Sequence, residues 1–120
     1  MARDPAKLDV YHRAHALVLG TYALTARLPA NERFGLQAQL RRAVVSIPAN
    51  IVEGSARRST ADYARFVEIA LGSAMEVRYL LRLLIDLKLL SHDEISQCEI
   101  CSDQVVRQLL NLHKALTPKP

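Results

Sequence analysis

Five apolar residues, Leu36, Leu40, Ala43, Ile47 and Ile51, recur at spacings of three and four. On a helix turning 100° per residue they fall within an arc of roughly 80°, the narrow stripe that a core-facing α-helix presents. The stripe runs through Pro48. A proline there removes one backbone donor and crowds the carbonyl of Val44, so the spacing predicts a kinked helix rather than two separate ones.

Three more segments carry the same period. Val10, Ala14, Leu17, Leu24 and Leu28 mark a first helix that Pro29 should stop. Tyr63, Phe66, Ala70, Ser73, Val77, Leu80, Leu81, Leu84 and Leu87 form the broad inner face of a long third helix. Ser59 offers its N-cap, with Asp62 in the place of a capping-box acid. Ser91-His92-Asp93-Glu94 is a full capping-box sequence and opens a fourth helix, which carries Ile95, Cys98, Val105, Leu109, Leu112 and Leu116 inward. The helices are expected at about 8–28, 31–54, 60–89 and 92–116. A chain of 120 residues is one domain's worth. With short connections, the expected architecture is all-α, an up-down-up-down four-helix bundle with a kinked second helix.

Composition agrees. Half the chain is apolar, yet aromatics amount to four Tyr and two Phe with no Trp, so the core is built from Leu, Ala, Val and Ile. Four Gly and five Pro are too few for a turn-rich β-sandwich. The longest stretch free of Asp, Glu, Lys and Arg, Ala14 to Ala26, is too short to span a bilayer. Asp4 and Asp9 disfavour reading it as the core of a signal peptide, so the expected location is the cytoplasm, with no membrane partner.

The sequence carries no recognisable catalytic or metal motif. Cys98 and Cys101 form a lone CxxC that lies well inside the fourth helix, whereas a reactive thiol belongs at a helix start; buried core cysteines are expected. No Glu-x-x-His pattern supports a di-iron site, and no second pair of ligands supports zinc. The four glycines are isolated, so no phosphate loop can be drawn. No enzyme activity, metal or cofactor is expected.

Charge is uneven. The formal net charge is +4, and the whole excess lies between Arg27 and Arg65, where seven arginines meet three acids. Arg41, Arg57, Arg58 and Arg65 are the candidate contacts to an anionic partner, with an oligomer interface as the other use of such charge. A second line of residues, Arg42, Ser46, Asn50 and Glu53, runs along the second helix, offset by roughly 100° from the apolar stripe. Ser73 and Glu76 occupy a similar latitude on the third helix. Polar groups there suit a hydrogen-bonded network between helices or between subunits. A catalytic role would require a base beside a nucleophile, and a Ser four residues from an Arg has none.

The run Gln39-Leu40-Arg41-Arg42-Ala43-Val44-Val45-Ser46-Ile47-Pro48-Ala49-Asn50-Ile51-Val52-Glu53-Gly54 resembles the signature of the bacterial four-helix bundle proteins first met as products of ribosomal-RNA intervening sequences. Tyr63-Ala64-Arg65-Phe66-Val67-Glu68-Ile69-Ala70-Leu71-Gly72-Ser73-Ala74-Met75-Glu76 is similar to that family's second block. The resemblance implies a small bundle that assembles as a homo-oligomer, a pentamer. A related branch is the accessory variability determinant of diversity-generating retroelements, which implies RNA or single-stranded DNA and a reverse transcriptase as partners. Matched by position, Arg42, Ser46, Asn50, Glu53, Ser73 and Glu76 are the family's motif residues here.

The expected function is therefore a non-enzymatic oligomeric scaffold that binds nucleic acid through a basic surface, as accessory to a reverse transcriptase or a ribosomal-RNA element. The alternative is a protein-interaction oligomer with no affinity for nucleic acid.

Overall fold

A computed structural model describes residues 3–118. Four helices account for most of it: α1 (Asp9–Thr25), α2 (Leu36–Ser55), α3 (Thr60–Asp86) and α4 (His92–Leu116). Single 3-10 turns at Pro5–Lys7 and Ala30–Glu32 lead into α1 and α2. Each helix packs on the next in sequence and α4 closes back on α1, giving a rod of 45 × 23 × 21 Å. At about 1.5 Å per residue, α3 alone nearly sets its length.

The stripes meet as their spacing requires. Leu17, Leu40, Ile47, Ile51, Leu81, Leu84, Ile95 and Leu109 are among the fully buried side chains. α2 continues without interruption through Pro48. Its start differs from expectation. The sequence pattern runs the helix back to Asn31, but residues 31–35 form the end of a 3-10 turn and a loop, and Gly35 is the N-cap with a non-helical backbone. The Glu32 carboxylate takes the cap's role, accepting from the Leu36 N–H at 3.3 Å.

Hydrogen bonds also account for the other ends. Ser59 Oγ accepts from Asp62 N at 3.0 Å and starts α3, but the Asp62 carboxylate turns to Arg65 at 3.6 Å, so that capping box is only half made. The box at Ser91 is complete: Glu94 N donates to Ser91 Oγ at 3.1 Å, and Ser91 N donates to Glu94 Oε1 at 2.9 Å. Before it, α3 stops earlier than its apolar period suggests. Lys88 adopts a left-handed backbone with φ 59°. Leu89 N then bonds Leu84 O at 3.0 Å and Lys88 N bonds Ile85 O at 2.9 Å, the paired bonds of a Schellman stop. Leu87, expected inside, is thereby turned out and is 53% exposed.

Candidate nucleic-acid interface and the polar seam beside it

Four arginines gather where α2 ends and α3 begins. Glu53 holds Arg57 at 2.9 Å, one helical turn away, and the guanidinium carbon of Arg57 stands 4.7 Å from the centre of the Phe66 ring. Arg65, at the same 4.7 Å, stands over that ring too. Arg3 joins them from the N-terminal segment, with its guanidinium 4.6 Å from the Tyr63 ring and bonded to Thr60 Oγ1 at 3.2 Å. Its backbone N–H donates to Ser55 O, which ties the segment to the end of α2. Arg58 is exposed and has no ion pair or side-chain hydrogen bond among the described residues. Only Glu53 and Asp62 are paired against this group, so the corner keeps a positive excess.

Both rings stay inside, as the apolar pattern of α3 expects: Tyr63 and Phe66 are buried. They present their faces to cations rather than open platforms to bases. Burial pushes the Tyr63 phenol up from its ordinary pKa, and the positive charge of Arg3 opposes that rise.

Arg41 does not belong to this corner. Its Nε donates to Thr25 Oγ1 at 2.9 Å, its Nη2 donates to Tyr22 O at 3.2 Å, and it lies 4.4 Å above the Tyr22 ring. From Arg41 to the end of α2 at Ser55 is about 21 Å along the axis. This arginine fastens α1 to α2. Arg3, in contrast, escapes sequence reasoning, because its partners lie far along the chain and no local period announces it.

The polar line on α2 divides in two. Ser46 Oγ and Ser73 Oγ are 2.8 Å apart across α2 and α3. Asn50 Nδ2 donates to Ser46 O at 2.7 Å and to Ser46 Oγ at 2.9 Å. Gln39 Nε2 donates to Glu76 at 3.3 Å, and Arg42 shares with them a shallow hollow of about 340 Å³. Glu53 leaves this seam for Arg57. On the same two helices, Val45, Val52 and Ile69 are exposed at 40%, 43% and 42%. A Cβ placed on Gly72 of α3 would touch nothing within 4 Å.

The remaining chemistry is sparse. Among the described residues no three His, Cys, Asp or Glu gather as metal ligands. Cys98 is buried, Cys101 is half-buried, and neither is in a disulfide. Loss of hydration pushes both thiols above their ordinary pKa; Thr21 opposes this at Cys98 and Arg13 at Cys101. Three side chains with catalytic potential lie apart: Glu53 is with Arg57, Glu76 with Gln39, and His15 is stacked on Tyr11 of α1. No helix among the described residues is long and apolar enough to cross a membrane.

Four helices packed each on the next, with the fourth closing on the first, place the chain among small all-α bundle proteins. Within that class the chain belongs to the 23S rRNA-intervening sequence protein family, whose model matches residues 6–111. It is also similar to a solved structure from Bacteroides thetaiotaomicron, a protein of unknown function from the S23 ribosomal protein family. The two share 26% identity with a TM-score of 0.81, over 88% of this chain and 95% of that one. No curated protein matches the chain.

Proposed function

We propose that this protein is a non-enzymatic, self-assembling bundle that binds RNA or single-stranded DNA through the corner formed by Arg57, Arg58 and Arg65, with Arg3 beside them. The observation that carries the reading is the pair of guanidiniums held over Phe66 next to the unpaired Arg58. Guanidiniums in a fixed array suit phosphate oxygens, and nothing at the corner is arranged to read bases. The family's description, with its reference to 23S rRNA, points to RNA as the first ligand to try.

Assembly is supported by a different face. Val45 and Val52 on α2 and Ile69 on α3 are exposed, and one turn from Ile69 stands a mid-helix glycine, Gly72, whose missing side chain no contact among the described residues requires. A glycine there costs helix stability of roughly 1 kcal/mol relative to alanine. Close approach of a second copy is the physical use for it, and a ring of copies would repeat the basic corner around its rim. A homo-pentamer, as the family resemblance implies, is the assembly we expect.

The test is fluorescence anisotropy of labelled RNA and single-stranded DNA with nuclease-treated protein. If three phosphates are neutralised per site, affinity should fall roughly twentyfold between about 50 and about 200 mM salt. Arg58→Glu should weaken binding and leave the fold unchanged, because Arg58 has no side-chain partner among the described residues. Absence of binding at the lower salt, or an Arg58→Glu variant with wild-type affinity, would overturn the reading.

A further inference from the structure

We infer that Phe34, at the end of the bundle opposite the arginine corner, is a stacking platform for an unpaired nucleobase. The inference rests on the proposal that this protein binds nucleic acid, and it adds what the corner lacks, a contact to a base. Phe34 is 89% exposed, the most open large apolar side chain among the described residues. It stands just before α2, whose 20 residues separate it from the corner by about 30 Å.

The backbone is fixed where the ring leaves it. Arg33 N donates to Ala30 O and Gly35 N to Glu32 O, both at 3.1 Å, so the amides on either side of Phe34 are bonded. The Glu32 carboxylate is taken up by the Leu36 N–H. The ring is therefore an open aromatic surface on a set loop, and a base that settles on it has few torsions to order.

The surroundings favour a nucleotide over a plain apolar partner. The guanidinium carbon of Arg33 is 5.5 Å from the centre of the Phe34 ring. At the same end α1 presents Tyr22, exposed, with Arg41 at 4.4 Å over its ring. Gln37 Nε2 donates to Thr25 O at 3.0 Å, which sets the last turn of α1 beside the first turn of α2. Between Tyr22 and Arg42 the chain carries four arginines against one acid, and among the described residues only Arg27 of the four is in an ion pair, with Glu94. Exposed aromatics with free guanidiniums beside them are how proteins hold single strands: rings take the bases and cations the phosphates. Tyr79 is also exposed, but its neighbours Arg78 and Arg82 are committed to Asp103 and Glu99 at 2.9 Å. A duplex hides the faces of its bases, so a platform at Phe34 selects single strands.

The test compares three labelled probes on the intact protein: a single-stranded RNA, the same strand annealed to its complement, and an abasic strand of equal length. Phe34→Ala should weaken the single strand about tenfold, as loss of one base–aromatic stack does, and leave the abasic strand unchanged. Phe34→Tyr should keep the affinity, and Phe34→Leu should lose it as Phe34→Ala does, which separates stacking from apolar contact. The chain has no Trp, so a Phe34→Trp variant carries a single indole whose emission should be quenched by the single strand and not by the abasic one. If the Phe34 variants bind as the wild type does while Arg58→Glu is weakened, the platform falls and the corner stands; the reverse pattern overturns the corner alone. The inference is also overturned if Phe34→Leu retains full affinity, or if the indole becomes buried as protein concentration rises without RNA, the mark of a subunit contact.

Discussion

Gly54 lies against Phe66: a Cβ built on the glycine would stand 2.8 Å from Phe66 Cβ and 3.0 Å from Tyr63 Cδ1. The glycine is still within α2, and its backbone is not in the left-handed region. What it supplies is space, letting the end of α2 press against the start of α3. Gly54→Ala should therefore destabilise the bundle by about 1–3 kcal/mol, the usual cost of overpacking, read as a lower urea midpoint with an unchanged slope. Because Phe66 carries Arg57 and Arg65, the same variant should bind nucleic acid more weakly under conditions where it is still folded.

Gly72 makes the opposite prediction. With nothing near its missing side chain, Gly72→Ala should raise the stability of dilute, dissociated protein by about 1 kcal/mol through helix propensity alone. In the assembled protein the added methyl would hold a neighbouring copy away. Light scattering after size exclusion should then show a shift to smaller species in the variant. An assembly of unchanged size and strength would place the subunit contact on another face.

The left-handed residue between α3 and α4 is a lysine, not a glycine. Residues with a Cβ pay roughly 1–2 kcal/mol for that conformation, and glycine gives back part of the gain through its freer unfolded chain. Lys88→Gly should stabilise the protein by about 1 kcal/mol, seen as a higher thermal midpoint, with no effect on ligand binding.

The two cysteines should behave as core groups. Desolvation, the leading cause, raises both thiols above the ordinary value, so at neutral pH they should react with iodoacetamide far more slowly in folded than in unfolded protein. The sign of the linkage follows. Below the unfolded thiol pKa of about 8.5 both states are protonated and stability is unaffected. Above it the unfolded chain releases protons that the fold retains, so stability should fall as pH rises. Replacing Cys98 and Cys101 with Ala and Ser should flatten that part of the profile, measured by urea unfolding at increasing alkalinity.

How much of this was legible in the sequence depended on whether the information was local. The helical stripes were, because a three-to-four period over many residues leaves no other partner but another helix. The same period sets the latitude of Ser46, Asn50 and Ser73, which bond to one another between α2 and α3. The partners of Arg41 and Glu53 were not legible, since period gives a side chain's latitude but not which guanidinium or carbonyl it will reach. Asn31 to Gly35 carries no strong breaker before its glycine, so periodicity alone runs α2 back to Asn31. The stop at Lys88 was hidden because a lysine seldom takes the role usually filled by glycine.

The stacking of Arg57 and Arg65 on Phe66 has a consequence for timing and cost. A long side chain that first becomes ordered when it grips a phosphate loses about 0.5–1.5 kcal/mol of rotamer freedom at that moment. Here two of the three proposed contacts surrender that freedom when the bundle folds. An arriving strand meets a surface already set, and only Arg58 is left to settle onto it.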